Sequence, residues 1–200
     1  MAGTATNLDG SQIILGPGKL WADVSVPAAS SYLTLHTDGT PDSTANPNAK
    51  NLGLTEAGTE VTFGLETQDF NSDELTSPHY SRIISQPVSF KATLLQARDF
   101  TNVLKYVFTG GNYLAPSGKK VITFGGTSLI TTYSFALICA DLADATKFIV
   151  VHIYKGYNKS PITVPFTRKD QSKVAIEIVG QSIATRAEGD QSGAFWYQTA

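Results

Sequence analysis

Apolar and polar side chains alternate in several short runs of this chain. In the run 60–70, Val61, Phe63 and Leu65 are separated by polar or small residues. Successive side chains of an extended strand point to opposite faces, so this pattern predicts half-buried β-strands. Runs rich in β-branched and aromatic residues extend the prediction along the chain. These runs are 19–26, 32–35, 88–94, 121–124, 128–138, 147–154, 162–166 and 173–179.

One helix is predicted among the strands. Between Phe100 and Phe108, apolar residues recur at the spacing i, i+3, i+4, i+7 and i+8, which places them on one helical face. Asp99 is a suitable N-cap residue, and Gly110 with Gly111 can end the helix. The sequence therefore predicts a helix over about residues 99–109 that covers a sheet or the open end of a barrel.

The length of 200 residues fits one domain, 1–200, with a single hydrophobic core. Residues 1–12 are mostly small and polar, and we expect them to form a flexible arm. Residues 37–54 are rich in Asp, Asn, Pro and Gly, which predicts a long polar loop. A loop of this length in a compact domain is usually functional or disordered.

The charge of the chain argues against tight binding of nucleic acid. The 15 basic residues are scattered and are outnumbered by 17 acidic ones, giving a formal net charge of -2. Tight binding of DNA or RNA requires clustered Lys and Arg that displace counterions from the phosphates. Only 16% of the residues are charged, below the roughly 25% of soluble domains. A partner can cover such a surface without burying many unpaired charges, although many extracellular β-sandwiches share this bias.

Membrane and disulfide chemistry are not expected. Cys139 is the only cysteine, so no disulfide can form within the chain. No apolar stretch approaches the roughly 18 residues that cross a bilayer. The first residues lack the pattern of a signal peptide, and we expect synthesis in the cytoplasm.

The sequence carries no recognisable catalytic or metal-binding motif. His36, His79 and His152 are far apart and do not have the spacing of metal ligands. A nucleophile elbow, a phosphate-binding glycine loop and a Cys–His pair of known spacing are all missing. We therefore expect no enzyme activity, no cofactor and no bound metal.

Two acidic segments can be interpreted either as functional sites or as ordinary turns and solvated surface. Asp38, Asp42, Asn46 and Asn48 could offer oxygens to calcium, but their spacing does not match a calcium-binding loop, and turn formation explains them better. The segment 69–74 could supply paired carboxylates as in a glycosidase, yet no companion signal supports this. A solvated acidic edge is the simpler interpretation, and in a channel it would repel passing DNA.

The chain ends in the aromatic cluster Phe195, Trp196 and Tyr197. Such a cluster could stack on a sugar. Tyr and Trp are also enriched at protein interfaces, because they bury a large area at a low cost in rotamer entropy. We favour an interface or core role for a chain without catalytic motifs.

The order of these features resembles the major tail, or tail tube, protein of long-tailed bacteriophages. The likeness lies in the polar arm and loop, the acidic strand that follows residues 53–63, and the segments 162–169 and 176–180 before an aromatic end. It implies a mainly β protein, a rolled β-sandwich or barrel with one flanking helix. Hexameric rings would stack into a tube around a tape-measure protein and meet tail terminator, baseplate and distal tail proteins at its ends. The protein would reside in the virion tail and act as a conduit through which DNA passes without specific binding.

The resemblance also suggests which residues would make contacts. The arm 1–12 and the loop 37–54 would join successive rings, with Asp38, Asp42, Asn46 and Asn48 as candidate contacts. Candidates for acids that face the lumen are Glu60, Glu66, Asp69 and Asp73. The alternatives are another virion β-protein, such as a capsid decoration or other tail component, a carbohydrate-binding β-sandwich, or an unrecognised enzyme.

Overall fold

The chain is mainly β, with one short helical segment. The computed structural model describes residues 18–29, 31–70, 80–96, 99–126, 129–141, 144–164 and 172–198. The predicted arm 1–12, His79 and Asp73 lie outside these residues. The strands are β1 (Lys19–Ala22), β2 (Lys50–Asn51), β3 (Thr55–Phe63), β4 (Glu66–Phe70), β5 (Tyr80–Ser85), β6 (Val88–Leu94), β7 (Gly111–Leu114), β8 (Val121–Phe124), β9 (Tyr133–Ala140), β10 (Phe148–Asn158), β11 (Val174–Gly180) and β12 (Gly193–Tyr197).

One large antiparallel sheet is organised around β10. Its strands follow the order β2-β1-β9-β10-β11-β6-β3. One edge of β10 pairs with β9. The other edge pairs with β12 along Ile149–Ile153 and with β11 along Gly156–Asn158. The register of the β9 pairing shifts between Ile153 and Gly156. The sheet therefore forks beyond β10, with β11 and β12 on separate branches.

The two central strands, β9 and β10, are buried on both faces. Phe135 and Leu137 of β9 point into a first hydrophobic core, whereas Ala136 and Ile138 point into a second one on the opposite face. Strands covered on both sides need apolar residues in succession rather than in alternation. This need explains the continuous apolar run 135–138 of β9.

The sheet rolls around the first core. Leu20 of β1 and Phe90 of β6 belong to this one cluster although their strands are far apart in the strand order. The segment after β2 links the two sides, because the Leu52 amide donates to the Leu20 carbonyl and the Leu95 amide donates to the Leu54 carbonyl. The predicted mainly β, rolled architecture is therefore confirmed.

The predicted helix is in the expected place but is shorter and of a different type. A π-helical turn, Phe100–Leu104, leads into the α-helical turn α1, Lys105–Val107. The carbonyl of Asp99 accepts bonds from the amides of both Val103 and Leu104, which widens the first turn. At Phe108 the backbone leaves helical geometry, so the helix does not extend to residue 109.

Asp99 caps this helical segment as predicted. Its carboxylate accepts hydrogen bonds from the amides of Thr101 and Asn102. Partial burial acts to raise the pKa of Asp99, but the hydrogen bonds from Asn102 and Thr101 outweigh it and lower the pKa. Val103 and Val107 project from the segment into the first core.

Several strand predictions were wrong. Of the predicted strand 32–35, only Leu35 makes an isolated β-bridge, with Pro41, and residues 162–164 form no strand, while 165–166 lie outside the described residues. The strand predicted over 128–138 begins only at Tyr133. The strand predicted over 19–26 ends at Ala22, because Asp23 adopts a left-handed backbone conformation with φ 58°. Val24 consequently lies in the second core, not on the face of Leu20. The strand predicted over 60–70 is interrupted after Phe63, where the Gly64 amide turns to the Pro87 carbonyl.

Candidate functional site

Strands β4 and β5 form a two-stranded ribbon that pairs with no other described strand. Its side chains are exposed on both faces, with only Ser85 half-buried. Phe70 is 45% exposed, Tyr80 59%, Ile83 51% and Ile84 60%. Four large apolar side chains exposed on one short ribbon form an apolar patch, a feature typical of interaction surfaces. We call β4 and β5 together the ribbon.

The ribbon is held by contacts between its own two strands. The rings of Phe70 and Tyr80 lie opposite each other at 6.0 Å, and the Ser81 hydroxyl donates to the Asp69 carboxylate at 2.6 Å. An isolated two-stranded hairpin is only marginally stable in water. The ribbon therefore gains order from any further surface that packs against it.

The second open feature is the outer edge of β3. This nine-residue strand pairs with β6 along one edge, and no described strand pairs with the other edge. A bulge between Thr55 and Thr59 includes Gly58, whose φ of 84° suits a residue without a side chain. An unpaired strand edge presents amides and carbonyls that a strand of another chain can bind.

The candidate lumen acids lie on different elements. Glu60, on β3, lies opposite Lys91 of β6, whose ammonium is 3.7 Å from the Glu177 carboxylate. Glu66 and Asp69 lie on the exposed ribbon. The sheet thus carries a mixed ladder of charges at Glu60, while the two ribbon acids are separated from it by the interruption after Phe63.

The polar loop is shorter than predicted. Residues Lys50–Asn51 form strand β2, and Leu52 is fully buried in the first core. The predicted loop 37–54 therefore ends before β2. The difference arises because Leu52 packs into the core. The polar residues around it in the sequence give no sign of this packing.

Within this loop, Asn46 is an internal anchor. It is buried, its side-chain oxygen accepts the Ser25 amide at 2.9 Å, and its side-chain nitrogen donates to the Asp42 carbonyl at 3.1 Å. Asp38 and Asn48, in contrast, are exposed. The side-chain hydrogen bond from Thr40 lowers the pKa of Asp38. Only the exposed members of the predicted set are free to meet another subunit without local rearrangement.

A groove of about 860 Å³ lies in the fork of the sheet, between β12 and the β5–β6 turn. Phe63, Ile84 and Phe195 contribute to its wall, and His152 contributes from β10. The rings of Phe63 and Phe195 lie 6.1 Å apart and are both largely exposed. The groove therefore continues the apolar surface of the ribbon into the body of the sheet.

His152 is the one strongly perturbed histidine among the described residues. Burial, followed by the charge of Arg186, lowers its pKa to about 4, so the imidazole is neutral at neutral pH. Its Nε2 has no hydrogen-bond partner among the described residues, and its ring meets Tyr154 edge to face at 5.0 Å. No nucleophile is hydrogen-bonded to it there. These contacts indicate a packing role.

Arg186 fixes the segment that precedes β12. Its guanidinium donates to the Asp190 carboxylate at 2.7 Å and to the Pro27 carbonyl at 2.7 Å, and it stacks over Tyr154 at 4.2 Å. These four residues bring together segments that are distant in sequence. The segment beside the groove is therefore tied to the segment that follows β1.

The terminal aromatic cluster is divided between two faces of β12. Trp196 packs against the second core, and its ring lies 5.7 Å from Tyr32. Phe195 faces the groove, and the Tyr197 hydroxyl donates to the Asp141 carboxylate at 2.7 Å. The three rings thus do not form one flat platform.

Other kinds of site are not evident in the part of the chain that the structure describes. No three His, Cys, Asp or Glu residues are grouped there as metal ligands. None of the described helical segments is long and apolar enough to cross a membrane.

Comparison with models of known protein families gives no match for this chain. Comparison with curated protein sequences gives no match either. The features that a function has to explain are therefore the exposed ribbon, the unpaired edge of β3 and the groove between them.

Proposed function

We propose that the protein is a structural subunit that assembles with identical copies into hexameric rings, which stack into a phage tail tube. The observation that carries this proposal is the ribbon, whose large apolar side chains are exposed and whose outer strand edges pair with no other described strand. The resemblance to tail tube proteins supplies the form of the assembly. The rolled sheet supplies a stable body from which the ribbon projects.

The energetics favour burial of the ribbon in an assembly. Complete burial of one large apolar side chain contributes about 1.5–3 kcal/mol. Four such side chains on the ribbon, together with Phe63 and Phe195 at the groove, offer a substantial driving force. Strand edges add hydrogen bonds when a neighbouring chain continues the sheet.

Two different surfaces on one subunit permit a closed ring and a stacked tube. Head-to-tail contacts close into rings when the rotation allows it and otherwise extend into filaments. The exposed Asp38 and Asn48 are the candidates for contacts between rings, whereas Asp42 is half-buried. The tape-measure, terminator, baseplate and distal tail proteins would be the partners of such a tube.

An acidic bore would let DNA pass without holding it. Glu60, Glu66, Asp69 and Asp73 are the candidates for this wall. Carboxylates repel phosphates, whereas a basic wall would bind each one. In this role the protein is a conduit in the virion tail and performs no catalysis.

Electron microscopy of the purified protein over a range of concentrations tests the proposal. We expect rings or hollow tubes for the natural sequence and monomers for Ile84→Lys, which places a charge on the ribbon. Val26→Lys, at an exposed apolar position on the segment after β1, is the matched control and should assemble. A natural chain that stays monomeric at every concentration would reject the proposal, and a glycan-binding screen would then test the sugar-binding alternative.

A further inference from the structure

A second hairpin, β7 with β8, is also unpaired with the main sheet. Its register places Leu114 opposite Val121 and Gly111 opposite Phe124. Leu114 is 51% exposed and Phe124 83% exposed. We call β7, β8 and the turn between them the basic hairpin, because the turn contains Lys119 and Lys120.

The basic hairpin and the ribbon have opposite charge. The basic hairpin carries Lys119 and Lys120 in its turn and no acidic residue between 111 and 124. Both lysines are exposed. The sequence from Glu66 to Ser85 carries four acids and one arginine; the acids are Glu66, Asp69, Asp73 and Glu74.

The two hairpins are attached to different parts of the molecule. The basic hairpin lies against the helical segment, where the hydroxyls of Thr101 and Tyr113 are 3.4 Å apart. The ribbon follows β3 and leads into β6, and it is tied there by the bond from the Gly64 amide to the Pro87 carbonyl. One molecule therefore presents two distinct projections of the same kind, each apolar, each unpaired, and each opposite in charge to the other.

We infer that the basic hairpin of one copy docks against the ribbon of the next copy. Lys119 and Lys120 meet the carboxylates of the ribbon, and Leu114 and Phe124 cover its exposed apolar side chains. This inference rests on the proposed function and identifies the two surfaces that form the repeated contact. Such a contact is head-to-tail, because each surface binds the other and not itself.

This pairing divides the candidate acids into two groups. Glu66 and Asp69 act in contacts between subunits, while Glu60, on the main sheet, stays the candidate for the bore. Complementary charges across an interface accelerate association and fix its register more than they raise its affinity. The apolar side chains on both projections supply the larger part of the affinity.

Charge reversal on each surface tests the inference. The first variant is K119E/K120E, and the second is E66K/D69K. The control is K19E/K159E, which changes the net charge by the same amount as the first variant at two exposed lysines elsewhere. Circular dichroism and urea unfolding establish that each variant is folded, and light scattering with electron microscopy follows assembly.

Each reversed variant alone carries two surfaces of the same sign, so we expect assembly at least roughly tenfold slower than that of the control. Mixing the two variants restores complementary pairs at every contact in a ring with an even number of subunits. The chain with all four substitutions should likewise assemble alone, because both of its surfaces are reversed.

Three results would overturn the inference. K119E/K120E that assembles as fast as K19E/K159E would show that the basic hairpin serves another partner. A failure of both the mixture and the fourfold variant to assemble, with folded chains, would show that the two surfaces do not meet. Absence of assembly in the natural chain would reject the proposed function as well, and so differs from the first two results.

Discussion

The central pair β9 and β10 and the ribbon are both antiparallel strand pairs, but their surroundings differ. Phe135 and Val150 in the central pair are fully buried, and segments of the chain cover both faces. Phe70 and Ile84 in the ribbon are exposed, and no described segment covers either face. The same kind of local structure is thus covered and contributes to the core in one place and is left open in the other, where we propose that it serves assembly.

The two regions should therefore affect two different free energies, that of unfolding and that of association. Substitutions in the central sheet should change the free energy of unfolding of the single chain. Substitutions on the ribbon should change the free energy of association and leave unfolding nearly unaffected. The four predictions below test this separation, beginning with the largest effect.

Phe90→Ala should destabilise the single chain by about 3–5 kcal/mol, because it removes a fully buried ring from the first core. Urea unfolding measures this loss. The matched variant Phe70→Ala on the ribbon should cost less than about 1 kcal/mol of unfolding free energy and should still slow assembly. Equal destabilisation by the two variants would remove the distinction between the regions.

Acid should weaken the central sheet through His152. Burial lowers its pKa from 6.5 to about 4, so below pH 6.5 the unfolded chain binds a proton that the folded chain does not. Stability should therefore fall as the pH drops from about 6.5 to 4, by an amount of the order of 3 kcal/mol. Unfolding of His152→Leu should lack this part of the pH dependence, and an unchanged profile would contradict the packing role.

Asn46→Ala should cost about 1–3 kcal/mol of unfolding free energy, since the Ser25 amide loses its partner and the Asp42 carbonyl keeps only the bond from the backbone amide of residue 46. Asn48→Ala, two residues further on and exposed, is the control and should have almost no effect on unfolding. If Asn48 joins successive rings, its variant should form rings that stack poorly in electron micrographs. A large loss of stability in both variants would refute the division of this loop.

Asp99→Ala should lower the stability by about 1 kcal/mol, because the amides of Thr101 and Asn102 lose a capping oxygen. The stability is lost because the helical segment that covers the first core is weakened. Assembly through the ribbon should be unaffected. Thermal unfolding and light scattering measure the two effects. Slower assembly of this variant at equal stability would be unexpected.

The sequence predicts the parts of this fold that depend on neighbours in the chain. The alternation in 88–94 matches β6, and Asp99 caps the helical segment as its side chain suggests. Features that depend on contacts between distant segments cannot be predicted in this way. The turn at Asp23 sends Val24 to the other face of the sheet, and β5 (Tyr80–Ser85) carries no alternation that marks it as a strand.

In the candidate site, too, local features can be predicted from the sequence and features set by distant contacts cannot. Exposed polar residues such as Asn48 and acids such as Glu66 can be proposed from composition alone. The burial of Asn46 cannot, because its main partner, Ser25, is 21 residues away. Nor does the sequence reveal that Phe70 and Ile84 are left uncovered, since large apolar side chains are usually buried.

Hydrogen exchange of the backbone amides tests the central claim most directly. In the single chain, we expect slow exchange in β9 and β10 and fast exchange along the ribbon. After assembly the amides of Glu66–Phe70 and Tyr80–Ser85 should become protected, with no change in the central pair. Ribbon amides that exchange equally fast in the single chain and in the assembled particle would contradict the account.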